Sequence, residues 1–153
     1  MMRKHRLAAW KVLSSGLVGA SVLTATNEIA RRFVPAAPRL DTLGRRALGT
    51  TLYQISGRRP KEQRLQRWAL AGDLLSNTLV YGLVGAGGAR HNWRRGGLLG
   101  LGMGLGAVLL PPTLGLGRWP TRRKPATRLM TVGWYLAGGL AAAATAALFR
   151  QRR

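Results

Sequence analysis

The chain has 153 residues, and its 25 Lys and Arg against four Asp and Glu give a formal charge of +21. It contains no cysteine, which excludes disulfides, thiolate metal sites and thiol catalysis. Its two histidines, His5 and His91, both lie in charged segments, so we expect no His-based metal site, no Ser/His triad, no cofactor and no enzymatic activity.

The apolar residues fall in four long blocks, and almost every basic residue flanks one of them. In a soluble protein this charge would indicate nucleic-acid binding. Here the flanking Arg and Lys are typical of residues that contact anionic lipid headgroups, so the expected partner is the lipid bilayer and no nucleic acid. Tryptophans near the block ends support this, namely Trp10, Trp68, Trp93 and Trp119. The 21 Arg against four Lys suggest a GC-rich bacterial genome, and the predicted location is the bacterial inner membrane, as a multi-pass protein.

The predicted fold is all-α, a single membrane domain over residues 1–153 built as a four-helix bundle. The first predicted span covers about residues 7–33. Its start resembles a signal peptide, but Leu23-Thr24-Ala25 is a poor cleavage site because Leu occupies the −3 position, so a retained helix is expected. Pro35 and Pro38 should end it.

An interfacial amphipathic helix is predicted next, over about residues 41–56. Asp41 is a candidate N-cap and Gly57 suits the C′ position. Apolar residues recur at helical spacing between them, whereas Arg45 and Arg46 fall largely off this stripe. The segment either lies in the membrane interface or packs on the bundle as a loop helix.

Three further spans follow, at about 64–88, 96–112 and 129–149, with Pro60 expected in the first turn of the second. The link at residues 88–95 is short, which predicts that the second and third spans are antiparallel neighbours. The third span carries two glycine sets on nearly opposite faces, which favour close helix packing: Gly96, Gly100 and Gly104, then Gly102 and Gly106. Pro111 and Pro112 should end or kink it.

Four spans bring the end of the first helix and the start of the second and fourth helices to the same side of the membrane. A polar cluster is therefore predicted there, consisting of Asn27, Glu28, Asp73, Asn77, Tyr81, Thr131 and Tyr135. Asp73, Asn77 and Tyr81 share one helix face at i, i+4 and i+8. The candidate ion-pair partners of the acids are Arg31, Arg32, Arg67 and Arg128.

Two interpretations of this cluster stay open, because a carboxylate in apolar surroundings is costly unless paired. In the first, Glu28 and Asp73 are paired and hold the helices together, and the protein is a non-enzymatic structural or accessory component of the membrane. In the second, Glu28, Asp73 and Asn77 line the pathway of a small transporter or channel, as a homo-oligomer or within a membrane complex.

Several segments resemble a family of small bacterial membrane proteins of uncharacterised role with four predicted transmembrane helices. The resemblance rests on Asn27–Arg32, Ala37–Gly44, Gly72–Asn77, Leu110–Gly117 and Met130-Thr-Val. It implies a four-span fold and a shared framework that includes the polar residues, and it implies no particular activity.

Overall fold

A computed structural model describes residues 2–58, 60–86, 89–114 and 124–151. Over these ranges the chain is all-helical, which confirms the predicted fold class at that level. The helices are α1 (Met2–Phe33), α2 (Leu40–Ser56), α3 (Glu62–Ala86), α4 (Asn92–Thr113) and α5 (Pro125–Gln151), and a short 3₁₀ turn at Ala89–His91 precedes α4. Gly87 and Gly88 of the predicted second span and link, and the connection at 115–123 with Trp119, lie outside the described residues.

The helix ends follow local signals in part. Gly57 has the left-handed φ of +66° and donates its N–H to the carbonyl of Tyr53 at 2.9 Å, so its predicted C′ role is confirmed. The prediction for Pro60 is wrong, because α3 begins only at Glu62. The carbonyl of Lys61 accepts the N–H groups of Arg64 and Leu65, so Lys61 is the N-cap residue and Pro60 lies outside the helix.

Three of the helices are long and apolar enough to cross a membrane: α3, α4 and α5 up to Phe149. The helix α1 is the longest helix in the described part of the chain, but the part of it whose side chains the structure describes falls short, since Asn27 and Glu28 lower its mean hydropathy.

The helix α1 packs between α3 and α5 along much of its length, and α4 packs on the other flank of α5. Glycines allow these close approaches. A Cβ added at Gly19 would lie 2.8 Å from the carbonyl oxygen of Gly138 on α5, and a Cβ added at Gly82 on α3 would lie 3.2 Å from the carbonyl oxygen of Val12. The helix α2 packs on the first half of α3, where Gly49 lies close to Leu65.

The helices α3 and α4 contact each other at only a few positions. The two helices are in contact, but α4 packs far more extensively against α5. The reason is the glycine face of α4, which fits the backbone of α5. A Cβ added at Gly100 would lie 2.7 Å from the carbonyl oxygen of Tyr135, and one added at Gly104 would lie 2.8 Å from Cα of Val132.

The second glycine set of α4 does not pack in this way. An added Cβ would meet nothing within 4 Å at Gly102, and at Gly106 it would meet only Leu110 of the same helix. The described residues therefore use one of the two predicted glycine faces for helix packing and leave the other open.

The core and the outer surface differ in side-chain size. Small residues of α1 and α5 and the rings of Tyr81 and Trp134 fill the buried centre. Leucines instead point outward along α3, where Leu75, Leu79 and Leu83 are between 56% and 62% exposed. An exposed apolar stripe of this kind is costly in water and favourable in lipid.

Candidate functional site

An ion-pair network joins three helices at the end where α1 finishes and α3 begins. The guanidinium of Arg31, in the last turn of α1, lies 3.3 Å from a carboxylate oxygen of Glu28 and 3.3 Å from one of Asp41 on α2. Arg45, also on α2, lies 3.1 Å from Asp41 and 2.8 Å from Glu62 on α3. The network therefore ties α2 to both of its neighbours and uses three of the four acidic residues of the chain.

Asp41 does not have the predicted capping role. The helix α2 begins at Leu40, its N-terminal flank has no side-chain cap, and Asp41 lies in the first turn. Its carboxylate lies between the guanidinium groups of Arg31 and Arg45, and its side chain is 17% exposed. A carboxylate in the first turn still interacts favourably with the helix dipole. Asp41 is thus a link between helices.

A cavity of about 220 Å³ opens beside this network between α1, α2 and α3, and we call it the polar cavity. Its lining includes three carboxylates and two guanidinium groups, which leaves one negative charge in excess. The lining residues are Leu23, Thr24, Asn27, Glu28, Arg31, Leu40, Asp41, Gly44, Arg45, Gln66, Ala69, Leu70 and Asp73. This local negative charge contrasts with the formal charge of +21 of the whole chain.

Asp73 is the acid that accounts for the excess. Among the residues that the structure describes, its carboxylate belongs to no ion pair. It is only partly exposed, it lines the polar cavity from α3, and it lies nearly three turns beyond Glu62, where α3 begins. A carboxylate in this position has the charge and the access to bind a cationic group.

Unsatisfied hydrogen-bonding groups surround the same cavity. Asn27 is 8% exposed and its side-chain oxygen has no hydrogen-bond partner within the described protein. The hydroxyl of Thr24 and the Nε of Arg45 are likewise buried without a partner. Buried polar groups in folded proteins nearly always have partners. All three unpartnered groups belong to residues of the cavity lining.

The remaining members of the predicted polar cluster lie outside the lining of the polar cavity, and Tyr81 connects two helices. Tyr81 is fully buried, and its hydroxyl donates a 2.7 Å hydrogen bond to the backbone carbonyl of Tyr135 on α5. Thr131 is also fully buried and donates to the carbonyl of Thr127 one turn earlier, at 2.8 Å. Asn77 is 3% exposed and lies between Asp73 and Tyr81 on the same face of α3.

Only one of the four candidate cationic partners takes part in the network. Arg31 does, whereas Arg32 and Arg67 form no ion pair with a carboxylate among the described residues. Arg67 lines a separate surface pocket together with Trp68, and Arg128 lies on the exposed first turn of α5. Sequence reasoning missed Arg45, although its i, i+4 spacing from Asp41 is a recognised pairing signal.

An apolar groove of about 600 Å³ lies between α2 and α4, and Tyr135 of α5 also lines it. The open glycine face of α4 forms part of it. Its lining is Gly44, Ala47, Leu98, Leu99, Gly102, Met103, Gly106, Ala107, Leu110, Pro111, Leu114 and Tyr135. Gly44 of α2 is common to the linings of this groove and of the polar cavity.

No group of three or more His, Asp or Glu in the described ranges is placed to hold a metal ion. The chemistry that the cavity offers is ion pairing and hydrogen bonding. Comparison with protein-family models, with curated proteins and with solved structures finds no match for this chain.

Proposed function

We propose that this protein is a non-enzymatic structural or accessory component of the bacterial inner membrane, formed by four membrane-spanning helices with α2 at the interface. The observation that carries the proposal is the ion-pair network, in which the pair Arg31–Asp41 joins α1 to α2 and the pair Arg45–Glu62 joins α2 to α3. Carboxylates that are consumed in helix-to-helix pairs favour a structural role over a transport role.

The position of α1 supports a fourth span. It packs between α3 and α5, and both of these neighbours are apolar and long enough to cross a bilayer. Backbone contacts at Gly16, Gly19 and Gly82 keep it against them at the depth of their middle turns. Its outward residues Leu13 and Leu17 are about half exposed, as expected for a lipid-facing surface. A helix held between two spanning helices shares their environment.

The placement of α2 at the interface rests on charge and packing. Gly44 and Gly49 lie against the first half of α3, where the chain is still charged. The side chain of Arg45 points to Asp41 and Glu62 and is only 25% exposed, whereas Arg46 is exposed. A helix with this arrangement fits the region of the lipid headgroups, which are the expected partner.

The number of spans can be tested by the location of single cysteines, because the native chain contains none. We expect Arg3→Cys and Arg153→Cys to react with a membrane-impermeant maleimide from the same side of sealed vesicles, and the control Arg58→Cys from the other side. If α1 stayed outside the bilayer, the cysteines at positions 3 and 58 would react from one side. The one at position 153 would react from the opposite side, and the four-span proposal would be wrong.

The second candidate function is a small transporter or channel using Glu28, Asp73 and Asn77, acting as a homo-oligomer. The polar cavity favours it, since Glu28 and Asp73 both line this cavity. Asn77 and Tyr81 weigh against it, because they are buried in helix packing directly beyond Asp73 and continue no lined pathway.

Flux measurements separate the two candidates. We expect proteoliposomes that contain the protein to pass protons, metal cations and small anions no faster than empty vesicles. A flux that disappears in Asp73→Asn, while the variant still folds and inserts normally, would refute the accessory role and establish the transporter.

A further inference from the structure

We propose that the polar cavity binds one primary ammonium group, with Asp73 as its counter-ion and Asn27 and Thr24 as hydrogen-bond acceptors. Phosphatidylethanolamine of the surrounding membrane is the source that the geometry favours. The proposal goes beyond the accessory role and requires no transport.

The first step is charge. The lining carries one negative charge in excess, and the acid without an ion-pair partner among the described residues is Asp73. A carboxylate at the edge of an apolar region is stabilised by a cation held next to it. The neighbouring guanidinium groups of Arg31 and Arg45 are each already shared between two other carboxylates.

The second step is hydrogen bonding, and it is independent of charge. Asn27 is more than nine-tenths buried, lines the cavity and has a side-chain oxygen without a partner. The buried hydroxyl of Thr24 also lacks one. A primary ammonium group has three N–H donors, which matches these two acceptors together with the carboxylate of Asp73. A quaternary ammonium has no such donor.

The third step is size and surroundings. A volume of about 220 Å³ suits a small polar group, and it lies below the range usual for drug-sized ligands. Gly44 is shared with the apolar groove of about 600 Å³, so a hydrocarbon chain attached to the bound group has an apolar surface within reach. The Nε of Arg45, a donor without a partner, complements a phosphate oxygen of the same headgroup.

A lipid-competition experiment tests the site. The full chain is purified in detergent, freed of lipid and incubated with equal amounts of phosphatidylethanolamine, phosphatidylcholine and phosphatidylglycerol that carry identical acyl chains. The retained lipids are then quantified by mass spectrometry. We expect phosphatidylethanolamine to be enriched over phosphatidylcholine, and Asp73→Asn to reduce this enrichment about 10- to 100-fold, as expected for losing a charged hydrogen-bond partner.

If Asp73→Asn fails to fold, Thr24→Val removes one acceptor at nearly constant volume and should lower the enrichment about 2- to 10-fold. The matched control for a lost hydroxyl is Thr51→Val, whose position lies on an exposed face of α2 outside the cavity lining and which should preserve the enrichment. Methylamine provides the soluble arm. Methylamine could raise the unfolding temperature of the parent but not of Asp73→Asn, while no lipid is preferred. In that case the cavity binds an ammonium group, and the natural ligand is a free amine and not a lipid.

Two outcomes overturn the proposal. One is equal retention of phosphatidylethanolamine and phosphatidylcholine together with no effect of methylamine. The other is enrichment of phosphatidylglycerol, because an anionic lipid would show that the positive charges around the cavity govern binding and not Asp73.

Discussion

The contact between α4 and α5 can be tested by adding a single methyl group. Gly100→Ala would place a Cβ 2.7 Å from the carbonyl oxygen of Tyr135 and 2.8 Å from Cα of Leu136. Carbon atoms in contact prefer about 3.5–4.0 Å, so the new Cβ would be about 0.7 Å too close to α5. Both nearest atoms belong to the backbone, so one helix must move away.

The size of the effect follows from two opposing contributions. Overpacking of this kind costs about 1–3 kcal/mol. Alanine is also a better helix former than glycine, by about 0.8–1.0 kcal/mol in a helix interior. The control Gly102→Ala receives only the second contribution, because nothing lies within 4 Å of its added Cβ. The difference between the two variants therefore isolates the clash at about 1–3 kcal/mol.

The measurement is the loss of helical circular dichroism during denaturant unfolding in detergent micelles, made on the parent and both variants. We expect Gly100→Ala to unfold first and Gly102→Ala to match or exceed the parent. Equal stability of the two variants would refute the close contact between the α4 and α5 backbones.

Three further results are expected. Arg45→Ala removes the pairs with Asp41 and Glu62, so it should lower the free energy of unfolding by about 1 kcal/mol and speed tryptic cleavage between α2 and α3. An unchanged cleavage rate would mean that these pairs do not hold α2. In about 1 M salt the screening length is about 3 Å, so the parent and Arg45→Ala should differ less in their free energy of unfolding. Tyr81→Phe removes the 2.7 Å hydrogen bond to the carbonyl of Tyr135, so it should lower the free energy of unfolding by about 0.5–1.5 kcal/mol. The same denaturant unfolding curves measure this change, and an unfolding midpoint identical to that of the parent would contradict a buried hydrogen bond.

Local signals in the sequence predict the helices well. Long apolar blocks mark α3, α4 and α5, and Gly57 marks the end of α2 through its left-handed backbone. The failure at Pro60 is also local in origin. Proline is tolerated in a first helical turn but does not require one, and here the carbonyl of Lys61 receives the first helical hydrogen bonds.

Contacts between helices were harder to predict. Helix order alone was enough to expect Asn27, Glu28 and Asp73 near one another, and all three line the polar cavity. The i, i+4 spacing indicates the pair of Arg45 with Asp41 but not its pair with Glu62, which lies 17 residues away on a helix whose rotation the sequence does not reveal. Asp41 was assigned to a cap for the same reason, since its partner Arg31 belongs to the preceding helix.

The partner of α4 was also beyond local reasoning. Both glycine sets have the GxxxG spacing, so the sequence does not say which one packs. The short link before α4 indicates α3 as its packing partner. The surface of α5 determines which set packs against it, because Gly139 has no side chain and lets the backbone of α5 approach Gly96. Complementarity of this kind depends on both surfaces at once, so neither segment predicts it alone.

The pairing of α4 with α5 also determines the order in which the molecule can assemble during synthesis. The helix α1 has its partner α3 before α4 and α5 are made, whereas α4 must wait for α5, which follows it in the chain. Until then the glycine face of α4 is without its main partner. Shortening the chain before α5 would therefore leave α4 without that partner while sparing the α1–α3 pair.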